Sequence, residues 1–499
     1  MKSQTILFLF FVSIYFLTGQ GSIQSSDGKI MYFLAQAMVE DQSLSFSESV
    51  THLENQKPQY SKYGFGMSVL AIPFYMFGKV LSALLEIDES MATQFAVSMI
   101  NAILTAFSCV MIFRFSLDRL NFSYSTGLFL SLGFGLSTIA WYYSEDFMSE
   151  PAVTLFLLSA VYFATNNDVS RKKQSMVLAG TFLAIAISCR MASLVVVPGF
   201  VLYEWMNWKD SREKKISRFC IDIFRASIPV IFIIAIIMSY NYARFENLLE
   251  TGYEKGGFEG RFFVGLYGIL FSSGKSLFLY NPLTLVGCLA FGKFWVHDKK
   301  LALFCFWLIF SHLIMFSFWH SWPGGMSWGP RLMLVVIPYL IFPAGYFWEK
   351  FEKKSKIPVI ALLILGIIIQ IPSIMVNISR YYYEINKKFG SQGHEKLLFS
   401  FEESPLIGQF KQVAEVYAVL GNASQVQKMV AFAKEKKNFL SENVSVVLKN
   451  GLAINSLNFW WYYMWLFGYS FLFWLVPPVL FLSIMIITGY KLIKETRRT

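Results

Sequence analysis

Charge is what this sequence has least of for its length. Only 15% of its 499 residues are Asp, Glu, Lys or Arg, with 32 acids against 43 bases, while 55% are hydrophobic and 18% aromatic. A single soluble core does not hold that much apolar side chain, and the mean hydropathy of +0.49 excludes an ordinary globular enzyme. The chain reads as an all-α polytopic membrane protein. Cysteine is scarce as well: Cys109, Cys189, Cys220, Cys288 and Cys305 lie in or beside apolar stretches and form no CxxC pair, which excludes a disulfide framework and a thiolate zinc site. The formal charge of +11 would suit nucleic acid, but the bases cluster in short loops between apolar runs, as the positive-inside rule requires. Nucleic acid is therefore not an expected partner, and membrane lipid is.

Apolar runs stand at about 4–20, 65–86, 91–113, 124–143, 151–165, 175–189, 191–206, 220–240, 278–292, 301–318, 333–348, 357–377 and 468–490. The first has the look of a secretory signal, with Lys2 ahead of it, yet so many later segments favour an uncleaved first helix. The run 65–86 decides the topology. If it does not cross, the basic loops beginning near 114, 166, 207, 293 and 349 and the tail from Lys491 all share the side of Lys2. That predicts about twelve transmembrane helices, both termini in the cytoplasm, a plasma (inner) membrane location, and 65–86 as a juxtamembrane helix on the outer face. The first outer loop is then about 22–90. Residues 378–457 form a polar insertion with helical patterning, expected as a small extracytoplasmic unit between a catalytic module (1–377) and a last helix with its tail (458–499).

The chemistry-bearing residues gather on the outer side. Asp27 follows the first span in "SSDGKIMYFLAQAM"; a loop acid is ordinarily just solvated. Lys62, in "YSKYGFGM", is either a headgroup anchor or a point charge for a lipid phosphate. "SEDFMSEP" sets Glu145, Asp146 and Glu150 at a boundary, and the helix dipole explains only the last of them. Arg190 lies between two apolar runs with no acid beside it in sequence, so it needs a partner: a phosphate or one of those acids. Lys275 sits in "SSGKS", which lacks the spacing of a nucleotide loop. Arg331 closes "WHSWPGGMSWGPR", where snorkelling to headgroups and a grip on phosphate are both open readings.

In order along the chain, Asp27, "YSKYGFGMSVLAIPFYMFG", "SEDFMSEP", "NYARFENLLETGY…GLYGILFSSGKSLFLYNP" and "WHSWPGGMSWGPR" resemble the membrane glycosyltransferases of the GT-C fold that use polyprenyl-phosphate sugars. Within these, the pattern is similar to relatives of the protein O-mannosyltransferases and the lipid A aminoarabinose transferase, over about residues 1–350. The resemblance implies a hexosyl- or pentosyltransferase acting from a lipid-linked sugar donor onto an extracytoplasmic lipid, glycan or protein, with inversion. It implies catalytic roles for Asp27 and Glu150, and donor phosphate binding by Lys62, Arg190, Lys275 and Arg331. Trp322, Trp328 and Tyr253 are the aromatic faces it would offer to acceptor or sugar. Such proteins often carry an acidic pair where this chain reads Asp27-Gly28, which weakens metal binding and two-acid schemes; a divalent metal is left open and unsupported. The rival reading is a lipid-linked-sugar flippase or secondary transporter, for which ionisable residues at mid-span would be expected.

Overall fold

A computed structural model describes residues 2–46, 59–166, 168–211, 215–253, 257–350, 356–435 and 457–497. Within these the chain is helical, apart from one two-residue strand pair that joins Ser45–Phe46 to Gln59–Tyr60. The protein is a polytopic helical membrane protein. Helical runs occupy each of the twelve predicted spans. Seven described helices have the length and apolarity to cross a membrane, and four shorter apolar ones accompany them. Packing inside apolar surroundings relies on small residues that let backbones approach. A Cβ on Gly180, in α9 (Lys172–Cys189), would meet the carbonyl oxygen of Ala226 in the helix Ile216–Phe245 at 2.1 Å. That latter helix turns Phe224, Ile228, Ile231 and Phe232 outward, an apolar face suited to lipid.

The basic loops do meet at one end. Arg114 and Arg119 donate to Tyr162, Lys172 pairs with Glu204 at 2.7 Å, and Lys300 pairs with Asp210 at 2.8 Å. The hydroxyl of Tyr124 donates to Glu495 at 2.8 Å, and Ser3 lies against the same hydroxyl, which brings both termini to this basic end.

At the opposite end α1 (Ser3–Thr18) hands over to α2 (Ser26–Glu40), and α3 (Gly66–Leu85) follows. By length and composition α3 could span. Its contacts pair it with the next helix and with the end of α9. Gly64 and Gly66 press on Ser188 and Cys189 at the end of α9, and Gly78 packs on Ala92–Thr93 of α4 (Glu89–Ser98). Helix α4 extends α5 (Ile100–Asp118) beyond Asn101, whose side chain holds the loop 146–148 at this end of the bundle. The antiparallel pair α3–α4 therefore lies on the far side of Asn101 from the basic loops.

The insertion after residue 377 caps the same end. Its helices Ile378–Phe389 and Gly393–Phe399 seat Tyr382 on the carbonyl of Ser327, and Leu398 on the amide of Gly274. Asn377 and Asn458, at its two ends, both bond the side chain of Gln24. The chain thus leaves the bundle and returns to it beside the first loop.

Candidate active site

Asp27 stands in the first turn of α2, whose start is fixed by Ser25: its hydroxyl accepts from the amide of Gly28 at 3.1 Å. Gly28 lies so near the second loop that a Cβ there would be 2.2 Å from the carbonyl oxygen of Phe147. A second acid beside Asp27 is thus sterically excluded in this packing. Glu150 and Pro151 open α8 (Ser149–Ala164), where the helix dipole favours an anion and a proline loses no bond. Arg190 ends α9 in extended conformation, and Arg331 begins the 3-10 turn Arg331–Val336.

These four side chains form one alternating row of charge. Arg190 Nη1 donates to Glu150 Oε1 at 2.5 Å, the same oxygen lies 3.7 Å from Arg331 Nε, and Arg331 Nη2 pairs with Asp27 Oδ2 at 2.8 Å. Glu150 is only 2% exposed, so an unpaired charge there would be costly and the row supplies its partners. Burial alone would raise the Asp27 carboxyl above its ordinary value. Arg331, a hydrogen bond from Tyr63 and the field of Arg190 outweigh that and hold it below. Arg331 Nε is buried without a hydrogen-bond partner. Gly324, in left-handed conformation at φ +72°, is where the loop curls over this arginine; a Cβ would lie 2.8 Å from its Nε.

The remaining candidates divide. Tyr253 joins Tyr63 and Trp319 in an edge-on aromatic group beside Asp27, with centroids 6.3 and 5.8 Å apart. Lys62 is exposed next to this group, with Nζ 5.7 Å from the Tyr63 ring centre. Lys275 goes elsewhere than the sequence suggests. It is fully buried, and its ammonium donates to the carbonyls of Ser327 (2.5 Å) and Gly325 (3.2 Å) and to the Ser327 hydroxyl (2.9 Å). Three donors bonded to one loop leave none for a phosphate. Trp328, 0% exposed, gives its Nε1 hydrogen to Gln370 and its ring to Tyr280, so neither face is open to a sugar. Trp322 is buried with its ring on Gly268 and near Phe399.

Tyr63 and Asn101 escaped the sequence reading, and Asp146, singled out there with its acidic neighbours, was given no role of its own. Tyr63 stands next to the singled-out Lys62, and nothing in the pattern says which of the two reaches Asp27. Glu145 is buried beside Thr18 and Gln20, and burial pushes its carboxyl well up. Among the described residues no group of three or more His, Cys, Asp or Glu side chains could hold a metal ion.

No family model and no curated protein matches the sequence. A crystal structure of apo ArnT from Cupriavidus metallidurans superposes with a TM-score of 0.51 at 10% identity, over 96% of this chain and 74% of that one. The chain has the GT-C fold. The same protein bound to undecaprenyl phosphate gives a TM-score of 0.49 at 11% identity, over 98% and 76% of the two chains. In this GT-C chain the row from Asp27 to Arg190 lies at the capped end of the bundle, opposite the basic loops.

Proposed function

We propose that this chain is a membrane glycosyltransferase, which moves a sugar from a polyprenyl-phosphate donor to an acceptor on the extracytoplasmic face of the plasma (inner) membrane. The carrying observation is the part-buried row Asp27–Arg331–Glu150–Arg190, in which the Nε hydrogen of Arg331 makes no hydrogen bond. The GT-C fold shared with ArnT, a lipid A aminoarabinose transferase, supports the same reading. The donor enters from lipid, its tail between helices and its phosphate drawn to Arg331, with Arg190 and Lys62 completing the cationic side. The acceptor hydroxyl oxygen attacks the anomeric carbon, the bond from that carbon to the phosphate oxygen breaks, and the electron pair leaves with the phosphate. One in-line attack inverts the centre.

Arg331 has two partners to serve. In the resting site it holds Asp27 ionised and weakly basic. A donor phosphate draws on the same guanidinium, which relaxes that hold and lets the Asp27 carboxylate accept the acceptor's proton. Where the acceptor is itself a phosphate group it arrives ionised, and Asp27 orients it instead. Glu150 keeps Arg331 and Arg190 in place and is the second choice for the base.

The test is release of polyprenyl phosphate by purified protein from a panel of radiolabelled polyprenyl-phosphate hexoses and pentoses. Transfer is expected from at least one, and Asp27→Asn should lower it by about 10²- to 10⁴-fold. Tight donor binding with no release from any member would instead favour a carrier that flips the lipid-linked sugar.

A further inference from the structure

We infer that Asp146 is a positioning residue for Asp27, fixing the two peptide units that lead into α2; the inference rests on the transferase reading above. Asp146 is 4% exposed and, among the described residues, makes no salt bridge, although Lys29 is close enough to feel its charge. Its charge is met by backbone hydrogens instead: Oδ1 accepts from the amides of Gln24 (3.2 Å) and Phe147 (2.8 Å), and Oδ2 from the amide of Ser25 (3.0 Å). Charge-assisted bonds of this kind are stronger than neutral ones. With both oxygens bonded to main chain, Asp146 is suited to holding the loop rather than to touching substrate.

The clamp is itself anchored. Asn101 Nδ2, at the head of α5, donates to the carbonyls of Asp146 (2.5 Å) and Met148 (2.9 Å), so one amide fixes the loop that carries both Asp146 and, four residues on, Glu150. Ser25 then passes the constraint on, since it is both held by Asp146 and the cap of α2. Asp27 is two residues further. From the other side the side chain of Gln24 accepts from Asn377 and donates to Asn458, the two ends of the insertion. The consequence is that the acid facing Arg331 takes its place from α5, the second loop and the insertion together. Nothing in Asp146 needs to meet the sugar, yet a shift of about 1 Å in Asp27 is enough to cost on the order of 10²-fold in rate.

The experiment compares wild type with Asp146→Ala and Asp146→Asn in two measurements. In hydrogen exchange the amides of Gln24 and Ser25 should be slow in wild type and fast in Asp146→Ala, with the core of α8 unchanged. In single-turnover transfer, Asp146→Ala should lose about 10²-fold in rate while undecaprenyl phosphate binds as in wild type, and Asp146→Asn, which keeps one acceptor oxygen, should fall between. Fast exchange in wild type, or full transfer rate once the two amides exchange freely, overturns the inference and leaves the transferase reading intact. A parallel loss of undecaprenyl phosphate binding and rate also overturns it, because the role is then general folding. A wild-type protein that transfers no sugar sinks the transferase reading itself. If Asp146→Ala does not fold, the Asn variant carries both comparisons.

Discussion

Arg331 stands where two demands compete, and the geometry tells them apart. A headgroup anchor needs charge and reach, which lysine also has. Pairing Asp27 at 2.8 Å through Nη2 while Nε faces Glu150 needs the planar fork, which lysine lacks. Arg331→Lys is therefore expected to keep expression and topology but lose on the order of 10²-fold in single-turnover rate, comparable to one preorganised donor. A lysine enzyme as fast as wild type would return the residue to the headgroups. The same pairing sets a pH dependence. Because the Asp27 carboxyl is held below its ordinary value, the ionised acid persists as pH falls, and the acid limb of kcat/KM lies below the ordinary aspartate range. Removing Arg331 takes away the strongest of the groups that oppose burial and leaves only Tyr63 and the field of Arg190 against it, so in Arg331→Ala the limb of the residual activity should move to higher pH. Identical limbs in the two proteins would show that Asp27 is not the titrating group.

At this scale the sequence told which residues were chemically capable, and less about which were free. Asp27, Glu150, Arg190 and Arg331 could be singled out because an ionisable group beside an apolar run needs a reason. Lys275 has the same signature, but its ammonium is satisfied by Gly325 and Ser327, fifty and more residues away. No local pattern encodes which carbonyls a distant loop will present.

Among the elements, α2 shows how a small residue shapes a site. The chain reads Asp27-Gly28 because the first turn of α2 is pressed on the second loop, and a methyl at residue 28 would lie 2.2 Å from the Phe147 carbonyl and 2.7 Å from the Ser25 hydroxyl that caps the helix. Backbone must move to admit it. Gly28→Ala is expected to displace Asp27 and reduce transfer by about 10²-fold or more, with little change in the thermal midpoint, since the spans are untouched. A parallel assay of rate and thermal unfolding checks this; an alanine variant with wild-type rate would mean that the α2 start tolerates the shift. The apolar character of this region was plain in the sequence, whereas its close approach was not, for a glycine in a loop looks the same whether it faces solvent or a carbonyl.

For the molecule as a whole, the strongest reading from sequence is also the one that the contacts bear on most directly. Counting bases in loops required 65–86 not to cross, and α3 does pack on α4 beyond Asn101 while Arg114, Lys172, Lys300 and Glu495 gather at the other end. What the count could not show is that the loop "SEDFMS" is buried rather than open, covered by the start of α2 and held by Asn101. Orientation must accordingly be probed at residues that reach the surface. Met326, 60% exposed in the Gly-Gly loop, and Lys62 and Glu86, at the two ends of α3, are exposed at or near the capped end; Lys173 is exposed at the basic end. Single cysteines at these four positions, in a background without the five native ones, can be exposed in intact cells to a thiol reagent that does not cross the membrane. Positions 62, 86 and 326 should react and position 173 only after permeabilisation, because the basic loops belong in the cytoplasm. Reaction at 62 but not at 86 would make α3 a span and reverse every helix after it, and reaction at 173 in intact cells would turn the whole bundle over and put the Asp27–Arg331 pair on the wrong side for an extracytoplasmic acceptor.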